Sequence, residues 1–69
     1  MLVVYELRAE YAGDEIGAIR LWHMIRDASD RALCGRALRS DAETRPDREW
    51  GPTQPFCHTC GALYLRQVP

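Results

Sequence analysis

Apolar and polar side chains alternate through the first ten residues of the chain. Val3, Tyr5 and Leu7 fall on one face, and Glu6, Arg8 and Glu10 on the other, which is the period-two pattern of a half-buried strand. The pattern predicts a strand over residues 2–10. Ala12-Gly13-Asp14-Glu15 then supplies turn chemistry, with Gly13 free to take a positive φ. Residues 16–26 fit two templates. As a strand they place Ile19, Leu21, His23 and Ile25 on one face and Arg20, Trp22, Met24 and Arg26 on the other. As a helix, Asp14 caps the start and Ile16, Ile19 and His23 line one stripe. Gly17 would cost that helix about 1 kcal/mol relative to Ala. The strand is favoured, paired with the first as a hairpin over 2–26.

Asp27-Ala28-Ser29-Asp30 reads as a second turn, its short polar side chains able to bond nearby backbone. It leads into a segment over 31–39 that carries Cys34-Gly35. The Arg-Ala-Leu triplet occurs twice there, too short to be a structural repeat. Residues 40–55 hold Asp41, Glu43, Pro46, Asp47, Glu49, Gly51, Pro52 and Pro55 without a sustained apolar period. They read as a loop of about 16 residues, long for a compact domain unless something clamps its ends. Trp50 within it and Phe56 just after it are large and apolar, and both are expected to fold back onto the core. The last stretch, 56–69, begins with a cysteine knuckle and continues as a short helix or a strand.

Composition narrows this to one small domain. Sixty-nine residues at 46% hydrophobic cannot hold a barrel or a doubly wound sheet, and a core of this size is marginal without a staple. Nine basic residues, all arginine, against ten acids leave a formal charge of −1, so the balance implies neither a nucleic-acid coat nor an acidic tail. The absence of lysine suggests a GC-rich coding sequence. The opening residues lack a basic stretch and make a poor signal peptide, and no run approaches the ~20 apolar residues of a membrane span. The expectation is a soluble cytoplasmic protein with no membrane partner.

Three cysteines form an odd set, which argues against a closed disulfide framework. In a reducing compartment a tight pair with a distant third more often means metal. The candidate ligands are His23, Cys34, Cys57 and Cys60, spaced H-x10-C-x22-C-x2-C. A C-x-x-C turn lets two thiolates reach one tetrahedral ion at about 2.3 Å. Gly61 follows at once, where a knuckle commonly needs a residue without a Cβ. Cys34-Gly35 repeats the step and suits a half-knuckle with one ligand. Three thiolates and an imidazole make a closed, structural Zn²⁺ site, and Arg31, Arg36 and Arg39 could offset its negative charge from the surroundings.

Each element also has a plainer explanation. A lone cysteine is usually a small buried hydrophobe, and a single histidine is usually a surface or satisfied core residue. His58 rivals His23 as the fourth ligand, although its place between two ligating cysteines should turn it away from the ion. A thioredoxin-like pair wants a larger βαβ context. Haem attachment needs His directly after the second cysteine, an iron–sulfur cluster usually wants four cysteines, and the H-x-E signature of a zinc deaminase is missing.

Taken together, Trp22-His23-Met24, Leu33-Cys34-Gly35-Arg36-Ala37-Leu38, Trp50 and Cys57-His58-Thr59-Cys60 resemble the small single-zinc-finger proteins of high-GC actinobacteria. The likeness spans roughly residues 20–65. It implies that His23, Cys34, Cys57 and Cys60 are zinc ligands, and it implies little about activity, since that group is largely without an assigned one.

The fold expected is therefore small α+β or mostly β: a hairpin over 2–26, a first knuckle over 31–39, a loop over 40–55, and a second knuckle with a C-terminal element over 56–69, zinc-ribbon-like. The function expected is a non-enzymatic, regulatory or interaction module with a protein partner. Trp22, Tyr64 and Leu65 are candidate exposed contacts, and the first strand could pair with a partner strand or with a second copy. The alternatives are nucleic-acid binding through Arg31, Arg36 and Arg39, and a redox C-x-x-C or metalloenzyme component.

Overall fold

The computed structural model describes residues 3–67. The expected strand start at Leu2 and the tail at 68–69 lie outside them. Strand β1 (Tyr5–Tyr11) pairs antiparallel with β2 (Ile19–Arg26) on one side and with β3 (Thr44–Pro46) on the other, in the order β2-β1-β3. A 3-10 turn (Asp47–Glu49) follows, and helix α1 (His58–Gln67) is the last element among the described residues. This is a small α+β fold whose cysteine knuckles fit a zinc-ribbon-like layout. Residues 16–26 are a strand from Ile19 onward, and the C-terminal element is a helix. No helix among the described residues is long and apolar enough to cross a membrane.

The hairpin register sets Leu7 against Met24, Ala9 against Trp22, Arg8 against His23 and Glu10 against Leu21. Directly opposed residues share a face, so Leu7, Ala9, Trp22 and Met24 line one side and His23 and Ile25 the other. Both sides are covered. On the first, Tyr5 meets Tyr64 of α1 edge-on at 5.3 Å, Tyr64 meets Trp50 at 5.6 Å, and Trp50 meets Phe56 at 5.9 Å. Such pairs add to the area they bury, and they fasten the helix to the sheet. On the second, Arg8 donates to the Arg39 carbonyl (3.1 Å) and Arg36 pairs with Glu10 (3.0 Å), which holds the segment after β2 against the sheet. A strand covered on both sides shows a run of buried residues rather than clean alternation, as β2 does from Trp22 to Ile25.

Several expectations change. The register slips between Glu10 and Tyr11, so that Tyr11 faces Ile19 and Arg20 is left unopposed. This bulge frees Arg20 from the Trp22 face and lets it reach Glu10. Trp22, expected at the surface, is 2% exposed, because Arg45 stacks over its ring at 4.5 Å and the chain at 55–57 runs along its backbone. The stretch 40–55 is only partly loop. Residues 44–46 find the second edge of β1, and Thr53 then ties back to the Glu49 carbonyl through both backbone and hydroxyl. Trp50 and Phe56 fold back onto the core as expected, and Leu65 is exposed. Positive φ occurs at Asp27, Ala28 and Gly35, not at Gly13.

Gly61 also has a different reason from the one expected. It lies in the first turns of α1, and a Cβ there would stand 3.4 Å from Trp50 and 3.5 Å from Phe56. One methyl fits there at ordinary van der Waals distance, with both rings already in contact. Gly61→Ala should therefore be neutral or stabilising by up to about 1 kcal/mol through helix propensity, while Gly61→Leu should destabilise by about 1–3 kcal/mol by overpacking. Urea midpoints of the two variants check this.

Candidate metal centre

The outer edge of β2 carries the site. Backbone groups at Trp22 and Met24 point away from β1, and two distant segments satisfy them. Trp22 donates its N–H to the Pro55 carbonyl (2.9 Å), Cys57 donates to the Trp22 carbonyl (2.8 Å), and Leu33 donates to the Met24 carbonyl (2.9 Å). These bonds cover an edge that would otherwise invite pairing. They also set Cys34, next after Leu33, and Cys57 on either side of position 23.

Each cysteine is then placed by local chemistry. Around Cys34 the chain turns tightly: Gly35 donates to the Ala32 carbonyl and Ala32 to the Arg36 carbonyl, both at 2.9 Å. Gly35 adopts φ +95°, a region that costs a side chain about 1–2 kcal/mol, so the Cys-Gly step expected of a half-knuckle is present. Cys57 precedes α1, and its carbonyl accepts the first-turn bond from Gly61 at 3.0 Å. Cys60, three residues on, shares its face of the helix. The first turn of α1 contains no acidic residue, and the partial positive charge of a helix start favours anionic sulfur there.

The structure brings together His23, Cys34, Cys57 and Cys60, with one donor atom from each lying within 4.8 Å of all the others. These four could hold a metal ion. His23 and Cys60 are buried, while Cys34 and Cys57 are half-buried. Nδ1 of His23 faces the sulfurs, 3.7 Å from Cys34 Sγ and 3.5 Å from Cys60 Sγ. Its Nε2 lies 2.6 Å from Glu10 Oε1. His58 is exposed and outside the group. Burial pushes the metal-free Cys60 thiol up to about 12, because a bare thiolate there would lose its hydration; a cation bound in place of the proton removes that penalty.

The arginines are arranged otherwise than expected. Arg31 donates to the Gly35 carbonyl (3.1 Å), and Arg39 grips both oxygens of Asp41 (2.9 and 3.0 Å) and the Asp14 carbonyl (2.7 Å). Arg36 reaches Glu10, not sulfur. Glu10 itself, joined by Arg36 and by Arg20 at 3.4 Å, is the residue that sequence reasoning missed. Alternation put Glu10 on the polar face of its strand, opposite Tyr5 and Leu7, and only the hairpin register shows that this face is the one His23 shares. The chain matches no family model, no curated protein and no solved structure.

The thiol environments yield a kinetic order. In metal-stripped protein at neutral pH, Cys60 should be alkylated after Cys34 and Cys57, because it is fully buried and its thiol is raised. A raised folded-state value adds stability below the unfolded value, which is lost as pH climbs toward about 12. Time-resolved mass spectrometry with iodoacetamide measures the order.

Proposed function

We propose that this chain is a small zinc-binding protein with a structural Cys3His site formed by His23, Cys34, Cys57 and Cys60, acting as a regulatory or interaction module on a protein partner. The observation that carries the metal is the spacing around Nδ1. With Zn–S of about 2.3 Å and Zn–N of about 2.0–2.1 Å, a tetrahedral site has N···S edges of about 3.6 Å. The two Nδ1···Sγ distances are 3.5 and 3.7 Å. Two thiol hydrogen bonds account for them less well, since Nδ1 offers a single lone pair. Three thiolates with an imidazole favour zinc over hard cations such as magnesium or calcium.

Four protein donors fill a tetrahedral shell and leave no position for a reacting water, which supports a structural role over a catalytic one. Bound zinc would cross-link β2, the Cys34 knuckle and the start of α1, and in a chain of 69 residues it would supply a large part of the folding free energy. A protein partner is favoured over nucleic acid by the state of the arginines. Arg36 and Arg39 are each held by an acid, so a phosphate would have to displace Glu10 or Asp41 before gaining them. Leu65, 57% exposed on α1, offers an apolar contact to such a partner.

Elemental analysis of the purified protein should give one zinc per chain, with all three thiols protected from alkylation until a chelator is added. His23→Ala should weaken zinc binding by about tenfold or more and lower the melting temperature. Three thiols that alkylate at the same rates with and without added zinc would refute the proposal.

A further inference from the structure

We infer that Glu10 is a positioning residue for the metal: it fixes His23 with Nδ1 as the donor atom, and Arg20 and Arg36 hold Glu10 in place from the surface. This rests on the zinc reading above and extends it beyond the four ligands. An imidazole that gives one nitrogen to a cation keeps its proton on the other. Nδ1 faces the sulfurs, so the proton is on Nε2 and is donated to Glu10 Oε1 across 2.6 Å. Histidine ligands characteristically hand this second N–H to a carboxylate or carbonyl, which orients the ring and raises its basicity.

The surroundings of Glu10 support that assignment. It is 9% exposed, and a carboxylate so buried needs partners for both oxygens. Oε1 is taken by His23, and Oε2 receives Arg36 Nη2 at 3.0 Å and Arg20 Nη1 at 3.4 Å. The two arginines come from different devices of the fold. Arg20 is the unopposed residue of the β2 bulge, and Arg36 belongs to the knuckle that carries Cys34. Arg8, directly across from His23, spends Nη1 on the Arg39 carbonyl and does not reach Glu10.

Charge points the same way. Three thiolates around a divalent ion leave one negative charge, Glu10 adds a second, and Arg20 and Arg36 compensate both. The arginines are 61% and 55% exposed, so their removal leaves the core intact. A plain ion pair fastening the knuckle to β1 would also use Arg36 and Glu10, but it would act on stability without passing through His23.

A double-mutant cycle separates the two. Zn²⁺ affinity, measured by competition with a chromophoric chelator, is compared for E10A and E10Q in the wild-type and His23→Ala backgrounds. Beside an intact His23, E10A should weaken binding about 10- to 100-fold, E10Q should lose less because its amide oxygen still accepts the Nε2 proton, and Arg36→Ala should lose less than E10A. Co²⁺-loaded variants should keep their thiolate charge-transfer absorption, since the sulfurs are untouched. Without His23, both Glu10 variants should change affinity by less than about threefold. E10A within threefold of wild type, or an equal loss with and without His23, would overturn the inference; should E10A not fold, E10M, which keeps the bulk and cannot accept the Nε2 proton, takes its place in the same comparison. Failure of the unaltered chain to bind zinc overturns the zinc reading and this one together, whereas zinc binding indifferent to Glu10 overturns this one only.

Discussion

The arrangement depends on how the outer edge of β2 is closed. A two-stranded hairpin in water is marginal and leaves a row of backbone groups unpaired. Here residues 33, 55 and 57 answer the groups of Trp22 and Met24, and in doing so they carry the cysteine segments to positions flanking His23. The donor cluster is thus a by-product of ordinary sheet completion. Two segments that lie more than twenty residues apart in the chain become neighbours because one strand has an edge to fill.

The second organising feature is a sheet buried on both faces in a chain this short. One face is closed by rings from Tyr5, Trp50, Phe56 and Tyr64, the other by the segment that follows β2. Burial on the second face brings polar groups inside with it. Arg8, Glu10 and His23 are all less than a tenth exposed, and Glu10 and His23 each find a partner there. That is what burial of polar groups requires in general, and it draws the surface arginines into the interior network.

Much of this was legible in the sequence, for identifiable reasons. The hairpin showed in the alternation of residues 2–10 and 16–26, the first knuckle in the Cys34-Gly35 step, and the four clustered donors in the spacing of His23, Cys34, Cys57 and Cys60. The failures share a cause. β3 is three residues long and owes its form to the free edge of β1, not to any period of its own. Trp22 looked exposed because alternation put it opposite His23, and nothing local says that a sheet will be covered twice. Glu10 went unnoticed because pairing across a hairpin depends on register. Arg20 was misassigned because a bulge reverses the phase of every residue beyond it. Local patterns reveal elements; what one element does to another has to be seen.

The position of the donors along the chain has a consequence for biosynthesis. His23 is presented by a hairpin that is complete by residue 26, yet two of the three sulfurs are not translated until residues 57 and 60. The last two donors therefore join a hairpin that the chain has already specified, and the donor set is completed only once residue 60 has been made. Of the segments that close the border of β2, the one at Leu33 can dock early and the one at 55–57 only late.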